Sequence, residues 1–178
     1  SAIINVTVNA IPTITLISSD SDDIICANEQ VIFTGTGGDM YQFFVEATPQ
    51  GALSPTNTFS TTNLLNGQTV TISGSLLGCP ATSNGITTTV NPIPTTSLTS
   101  TDVNNVYCES ELVDYTAGGA TNYEFFVNGV SQGAPSPLNT INSSGFPITT
   151  FPLEVVGETS NCYDTTTVNI TINSNPVA

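Results

Sequence analysis

The chain contains no lysine, no arginine and no histidine, against 14 Asp and Glu in 178 residues. No side chain can therefore be positively charged at neutral pH. Nucleic-acid binding needs Lys or Arg opposite the phosphates, and attraction to an anionic bilayer surface needs the same groups, so both are excluded. The same absence removes Ser-His and Cys-His nucleophile systems, Schiff-base and P-loop lysines, and imidazole metal ligands. Only a carboxylate pair is left for catalysis. Tryptophan is also absent and methionine occurs once. No run approaches the roughly 20 apolar residues of a membrane span, which argues against membrane insertion. Nor does a charged and then apolar leader open the chain, so it reads as starting inside a mature protein.

What is present is said twice. Tyr41-Gln42-Phe43-Phe44-Val45 returns as Tyr123-Glu124-Phe125-Phe126-Val127, an offset of 82 residues. Strict alternation places Tyr41, Phe43 and Val45 on one face of a strand, with Gln42, Phe44 and Glu46 on the other. A core strand copied at a fixed offset marks one unit of an array. Thr, Ser, Asn, Gly and Pro with Val, Ile and Leu supply strands and turns and no long helical run, so the class is all-β. In the first repeat, strands are expected near 13–18, 30–36, 40–47, 57–62, 68–75 and 85–91. In the second they fall near 95–100, 112–118, 122–128, 139–143, 150–156 and 166–173. Gly37-Gly38, Gly118-Gly119 and Asn66-Gly67 supply turns between them. Six or seven short strands per unit suggest a Greek-key β-sandwich.

Residues 1–9 match 86–91 and 168–173 at the same offset. They read as the last strand of a preceding copy, or as a strand donated to a neighbouring molecule. The resulting division is 1–11 as that strand and a linker, 12–93 and 94–175 as two immunoglobulin-like repeats, and 176–178 as the start of another. Pro12, Pro94 and Pro176 stiffen short linkers, which predicts a rod.

Four cysteines stand at 26, 79, 108 and 162. An even count at repeated spacing predicts disulfides in a secreted protein. The expected pairing is within repeats, Cys26 with Cys79 and Cys108 with Cys162. The alternative joins Cys26 to Cys162 and leaves Cys79 and Cys108 for the next copies out. Asp20, Asp22 and Asp23, with Asp102 in the second copy, have the alternating oxygens of a Ca²⁺ loop, although a turn capping its own backbone uses the same residues. No other cofactor is indicated. A glycosidase pair would need two acids about 5 to 10 Å apart. Asp20 matches Asp102 acid to acid between the copies, while Glu46 becomes Asn128 and Asp39 becomes Thr121. The chain accordingly reads as no enzyme. Phe44 and Phe126, on the outer face, are candidates for contact with a sugar or a neighbouring protein, or for cover by the following loop.

Cys26, Val31-Ile32-Phe33-Thr34, Gly37-Gly38, Tyr41 to Val45, Gly78-Cys79 and Ile86 to Val90 form a pattern that repeat two follows in outline, with Asn161 in place of Gly78. It resembles the tandem immunoglobulin-like and PKD-like repeats of giant secreted surface adhesins of Bacteroidota. Asp164-Thr165-Thr166 resembles the O-glycosylation acceptor motif of the same phylum, with Thr165 as acceptor. The resemblance implies type IX secretion, a place at the extracellular cell surface, and a non-catalytic stalk in an adhesin of the gliding type or a filament. The implied partners are neighbouring repeats of the same chain, with surface polysaccharide or other filament copies as further ones. Two other readings stand beside it, a carbohydrate-binding adhesive module and a strand-exchanged filament subunit.

Overall fold

A computed structural model describes residues 3–176. The chain divides into two compact units, Ser1–Asn91 and Pro92–Ala178, and no helix occurs among the described residues. Residues 1, 2, 177 and 178, at the ends of the two expected flanking segments, lie outside that range.

The first unit contains β1 (Thr15–Ser18), β2 (Ile24–Cys26), β3 (Val31–Thr36), β4 (Met40–Val45), β5 (Thr48–Pro49), β6 (Thr58–Thr61), β7 (Thr69–Leu76), β8 (Cys79–Thr82), β9 (Ile86–Thr87) and β10 (Thr89–Asn91). One sheet runs β1-β3-β6 and the other β5-β4-β7-β8, with β9 also on β7. The strand β2 pairs parallel with β10. Alternation puts Val31, Phe33, Tyr41, Phe43, Val70 and Ile72 inside. Phe59, from β6, sits against Phe33 and Phe43 with ring centroids 6.3 and 5.7 Å apart. Each buried side chain of this size contributes about 1.5–3 kcal/mol relative to exposure, which is how so small a unit holds together.

The second unit repeats the plan with β11 (Ser97–Ser100), β12 (Val106–Cys108), β13 (Asp114–Gly118), β14 (Asn122–Val127), β15 (Val130–Ser131), β16 (Thr140–Asn142), β17 (Thr150–Thr159) and β18 (Cys162–Asn173). Its sheets run β11-β13-β16 and β12-β18-β17-β14-β15. Here β18 is continuous, whereas in the first unit the same run is broken into β8, β9 and β10. One break lies at Thr88, fully buried, whose N–H donates to the Gln68 carbonyl at 3.0 Å. Ile170, also fully buried, stands at the equivalent place within the unbroken β18.

Two devices precede the aromatic strand in both copies. Gly37 and Gly119 have φ of 91° and 89°, and a Cβ there would overlap the carbonyl oxygens of Thr13 and Thr95, so glycine is required twice over. The Tyr41 hydroxyl accepts from Gly38 N–H at 2.9 Å and donates to Gly38 C=O at 2.6 Å. Tyr123 does the same to Ala120 at 2.9 and 2.6 Å. A buried phenol thus ties its strand to the turn that leads into it.

Residues 3–9 differ from expectation. They form no strand, and Ile4, Val6 and Val8 are exposed. A strand needs a neighbouring strand for its backbone groups, and these have none among the described residues. Asn9 is tied down, its Nδ2 donating to the Leu77 carbonyl at 3.2 Å.

Candidate functional site

The acidic stretch turns out to be where the chain changes sheets. β1 lies on β3, whereas β2 lies on β10, so residues 19–23 carry the chain from one layer to the other. Asp20 Oδ1 accepts from the N–H groups of Asp22 and Ile24 at 3.3 and 3.1 Å, and Asp22 Oδ1 accepts from Ile24 at 3.1 Å. Asp102 and Asn104 repeat this on Asn104 and Val106. Asp23 and Asn105 then adopt φ of 57° each, and their carbonyls accept from Thr89 and Thr171 of the closing strands. The Oδ1 atoms of Asp23 and Asn105 are both buried without a hydrogen-bond partner. Among the described residues no group of three or more His, Cys, Asp or Glu is placed to hold a metal. One carboxylate oxygen, Oδ1, of each of Asp20, Asp22 and Asp102 accepts from backbone N–H groups of its own turn.

This crossing delivers a cysteine to a fixed place. Cys26 stands in register with Asn91, and Cys108 with Asn173, each at the far end of the closing strand of its own unit. The next N–H, of Ala27 or Glu109, donates to the same Asn carbonyl at 2.8 or 3.0 Å. Cys79 and Cys162 begin those closing runs, opposite Leu76 and Thr159. From Cys162 to Asn173 the strand is unbroken, and at about 3.3 Å per residue its ends are more than about 30 Å apart. A disulfide spans roughly 4.4–6.8 Å between Cα atoms. The within-repeat pairing expected from spacing is therefore corrected. Cys26 and Cys162 are disulfide-bonded, whereas Cys79 and Cys108 are free thiols, Cys79 partly buried and Cys108 exposed. Spacing alone leaves the cysteines in loops, because β2 and β12 are too short to show a period. Their signal is instead the triplet Ile24-Ile25-Cys26, which recurs as Val106-Tyr107-Cys108 just after the acidic turn.

No protein-family model matches the chain, and neither does any curated protein. Solved structures do. The fibronectin(III)-like modules of Clostridium thermocellum CbhA align with a TM-score of 0.52 at 14% identity, over 91% of this chain and 95% of theirs. The N-terminal eight Ig domains of Down Syndrome Cell Adhesion Molecule align with a TM-score of 0.59 at 11% identity, over 93% of this chain and 25% of that one. The fold is a tandem immunoglobulin-like sandwich. At such identities the likeness extends to the fold alone.

The remaining candidates sit on these immunoglobulin-like units as follows. Phe44 and Phe126 are half-buried and face away from the core residues that flank them. The segment after Phe44 turns back as β5, pairing Pro49 with Phe44, and Ser54 bridges to Tyr41. In the second unit Ser131 opposes Phe126 and Ser136 bridges to Tyr123. The loop thus extends the edge of the sheet, and each ring has a cross-strand neighbour beside it. Thr165 is exposed in β18. Its neighbours point the other way: Asp164 Oδ2 accepts from Thr96 N–H at 2.7 Å, and the Thr166 hydroxyl donates to the Thr96 carbonyl at 2.6 Å. Asp20 and Asp102 each sit in the crossing turn of a separate unit and are spoken for by backbone donors.

Proposed function

We propose that this chain is a non-catalytic spacer segment of a large extracellular adhesin or cell-surface filament. The observation that carries the reading is which positions the two copies share. Gly37 and Gly119, Tyr41 and Tyr123, the Asp20 and Asp102 turns and the cysteine positions are all framework, whereas outward positions such as Glu46 and Asn128, or Asp39 and Thr121, diverge. A binding or catalytic array repeats its contact residues; a spacer repeats its scaffold. The disulfide supports an oxidising location outside the cytosol. Export by the type IX route and glycosylation at the outward Thr165 belong to this reading. Down Syndrome Cell Adhesion Molecule is among the proteins with similar folds.

One observation favours a second reading, in which the units grip polysaccharide. Phe44 and Phe126 both offer an aromatic ring on an outer face, and an aromatic ring with polar neighbours suits a sugar. A glycan array on the whole chain separates the two. A spacer gives no hits. Reproducible binding that Phe44→Ser and Phe126→Ser abolish, with melting unchanged, would transfer the function to that face.

A further inference from the structure

We propose that Cys79 and Cys108 are the open ends of a disulfide ladder, each bonding a cysteine of the flanking repeat, so that successive units are cross-linked covalently along the array. The inference rests on the array reading but not on adhesion. Two independent observations support it. The first is chemical: Cys26 occupies the same place in its unit as Cys108, and Cys162 the same place as Cys79, yet Cys26 and Cys162 are disulfide-bonded and the other two are thiols. Each kind of position forms a disulfide in one copy and carries a thiol in the other.

The second is geometric and lies within the first unit. Cys26 and Cys108 are in register with Asn91 and Asn173. Asn9 is the same position one repeat earlier by the 82-residue offset. A preceding repeat folded like these two sets its own Cys in register with Asn9. The Cys79 thiol already lies against that spot, its Sγ 3.8 Å from the Asn9 carbonyl oxygen, while Asn9 Nδ2 holds the Leu77 carbonyl of the same hairpin. The thiol therefore points at the place where a preceding cysteine belongs. By the same offset Cys108, exposed beside Asn173, awaits the hairpin cysteine of a following repeat.

The bond forms by thiol–disulfide exchange. The thiolate of one cysteine attacks a small-molecule disulfide such as oxidised glutathione, and the second thiolate displaces the carrier. One S–S bond is made, two S–H bonds are lost, and the oxidant takes up the two electrons and two protons as two thiols.

The test is a tandem chain in which residue 173 of one complete copy is followed directly by residue 10 of a second, which keeps the 82-residue register. Refolded with a glutathione redox couple, alkylated with iodoacetamide and mapped without reduction, it should yield a peptide joining Cys108 of the first copy to Cys79 of the second. Alkylation should then mark only Cys79 of the first copy and Cys108 of the second. Cys79→Ser in the second copy should restore full alkylation of Cys108 in the first. Circular dichroism matching the single copy establishes that the tandem has folded. Full alkylation of both junction thiols in a folded tandem overturns the ladder and leaves the spacer reading intact; glycan binding overturns the spacer reading and leaves the ladder intact.

Discussion

At the scale of single residues, the two copies differ most tellingly where Phe33 is replaced by Tyr115 and Ile25 by Tyr107. Tyr115 is fully buried, and its hydroxyl donates to that of Tyr107 at 3.2 Å. Burial, and then the hydrogen bond and proximity of Tyr107, push the Tyr115 phenol far above its ordinary value, since an oxyanion there would lack water. An unfolded tyrosine ionises near pH 10. Below that pH the stability from burying Tyr115 is fully present. As pH rises above it, the unfolded chain releases the proton while the native one keeps it, so stability falls until the native phenol ionises too. At pH 11 one such group costs about 1.4 kcal/mol. The check is urea unfolding of iodoacetamide-treated protein at pH 8 and pH 11, with Tyr115→Phe alongside. The variant should lose about 1.4 kcal/mol less than the parent between the two pH values, because its second unit then resembles the first at this position. An equal loss in parent and variant would remove Tyr115 as the alkaline weak point.

At the scale of elements, the strands with a two-residue period are legible in the sequence itself. Val31 to Thr36, Met40 to Val45 and Thr69 to Leu76, with their copies, stand within three residues of where alternation puts them. The short strands at Ile24–Cys26 and Val106–Cys108 are not legible, because three residues carry no period and their pairing is with chain more than sixty residues away. Without them the cysteine pairing is misread as well, since similar spacing in each repeat says nothing about which end of the sandwich a thiol occupies. The outward Phe44 face is legible from alternation alone, whereas the backbone capping by Asp20 is one of two uses its residue type allows. That cap makes a prediction of its own. Asp20→Ala removes the acceptor of two N–H groups at the crossing and should destabilise the first unit by about 1 kcal/mol, whereas Asp20→Asn, which keeps the oxygen, should cost only a few tenths. Urea midpoints for both variants check this. Equal losses would mean that the carboxylate charge matters and not its geometry.

At the scale of the whole molecule, the charge balance has a consequence that no single residue shows. With 14 acidic side chains and no cationic one, every side-chain charge pair is repulsive. Compaction brings those charges together, so the folded state bears more of the repulsion than the unfolded chain. Salt should therefore stabilise this protein. Raising NaCl from about 10 mM to 150 mM shortens the screening length from about 30 to 8 Å, which reaches most exposed pairs in units this small. Recovery of about 1 kcal/mol would lift the melting temperature by roughly 4–8 °C for a unit of this size. The same experiment distinguishes general screening from a bound ion. If the Asp20 and Asp102 turns spend their oxygens on their own backbone, CaCl₂ and MgCl₂ at matched ionic strength should give the same melting temperature. A rise with calcium that magnesium does not reproduce, and that Asp20→Asn or Asp102→Asn abolishes, would make those turns a calcium site. A melting temperature that stays flat or falls with NaCl would mean that the acids are spaced too widely to matter, and that the absence of cations serves the exterior alone.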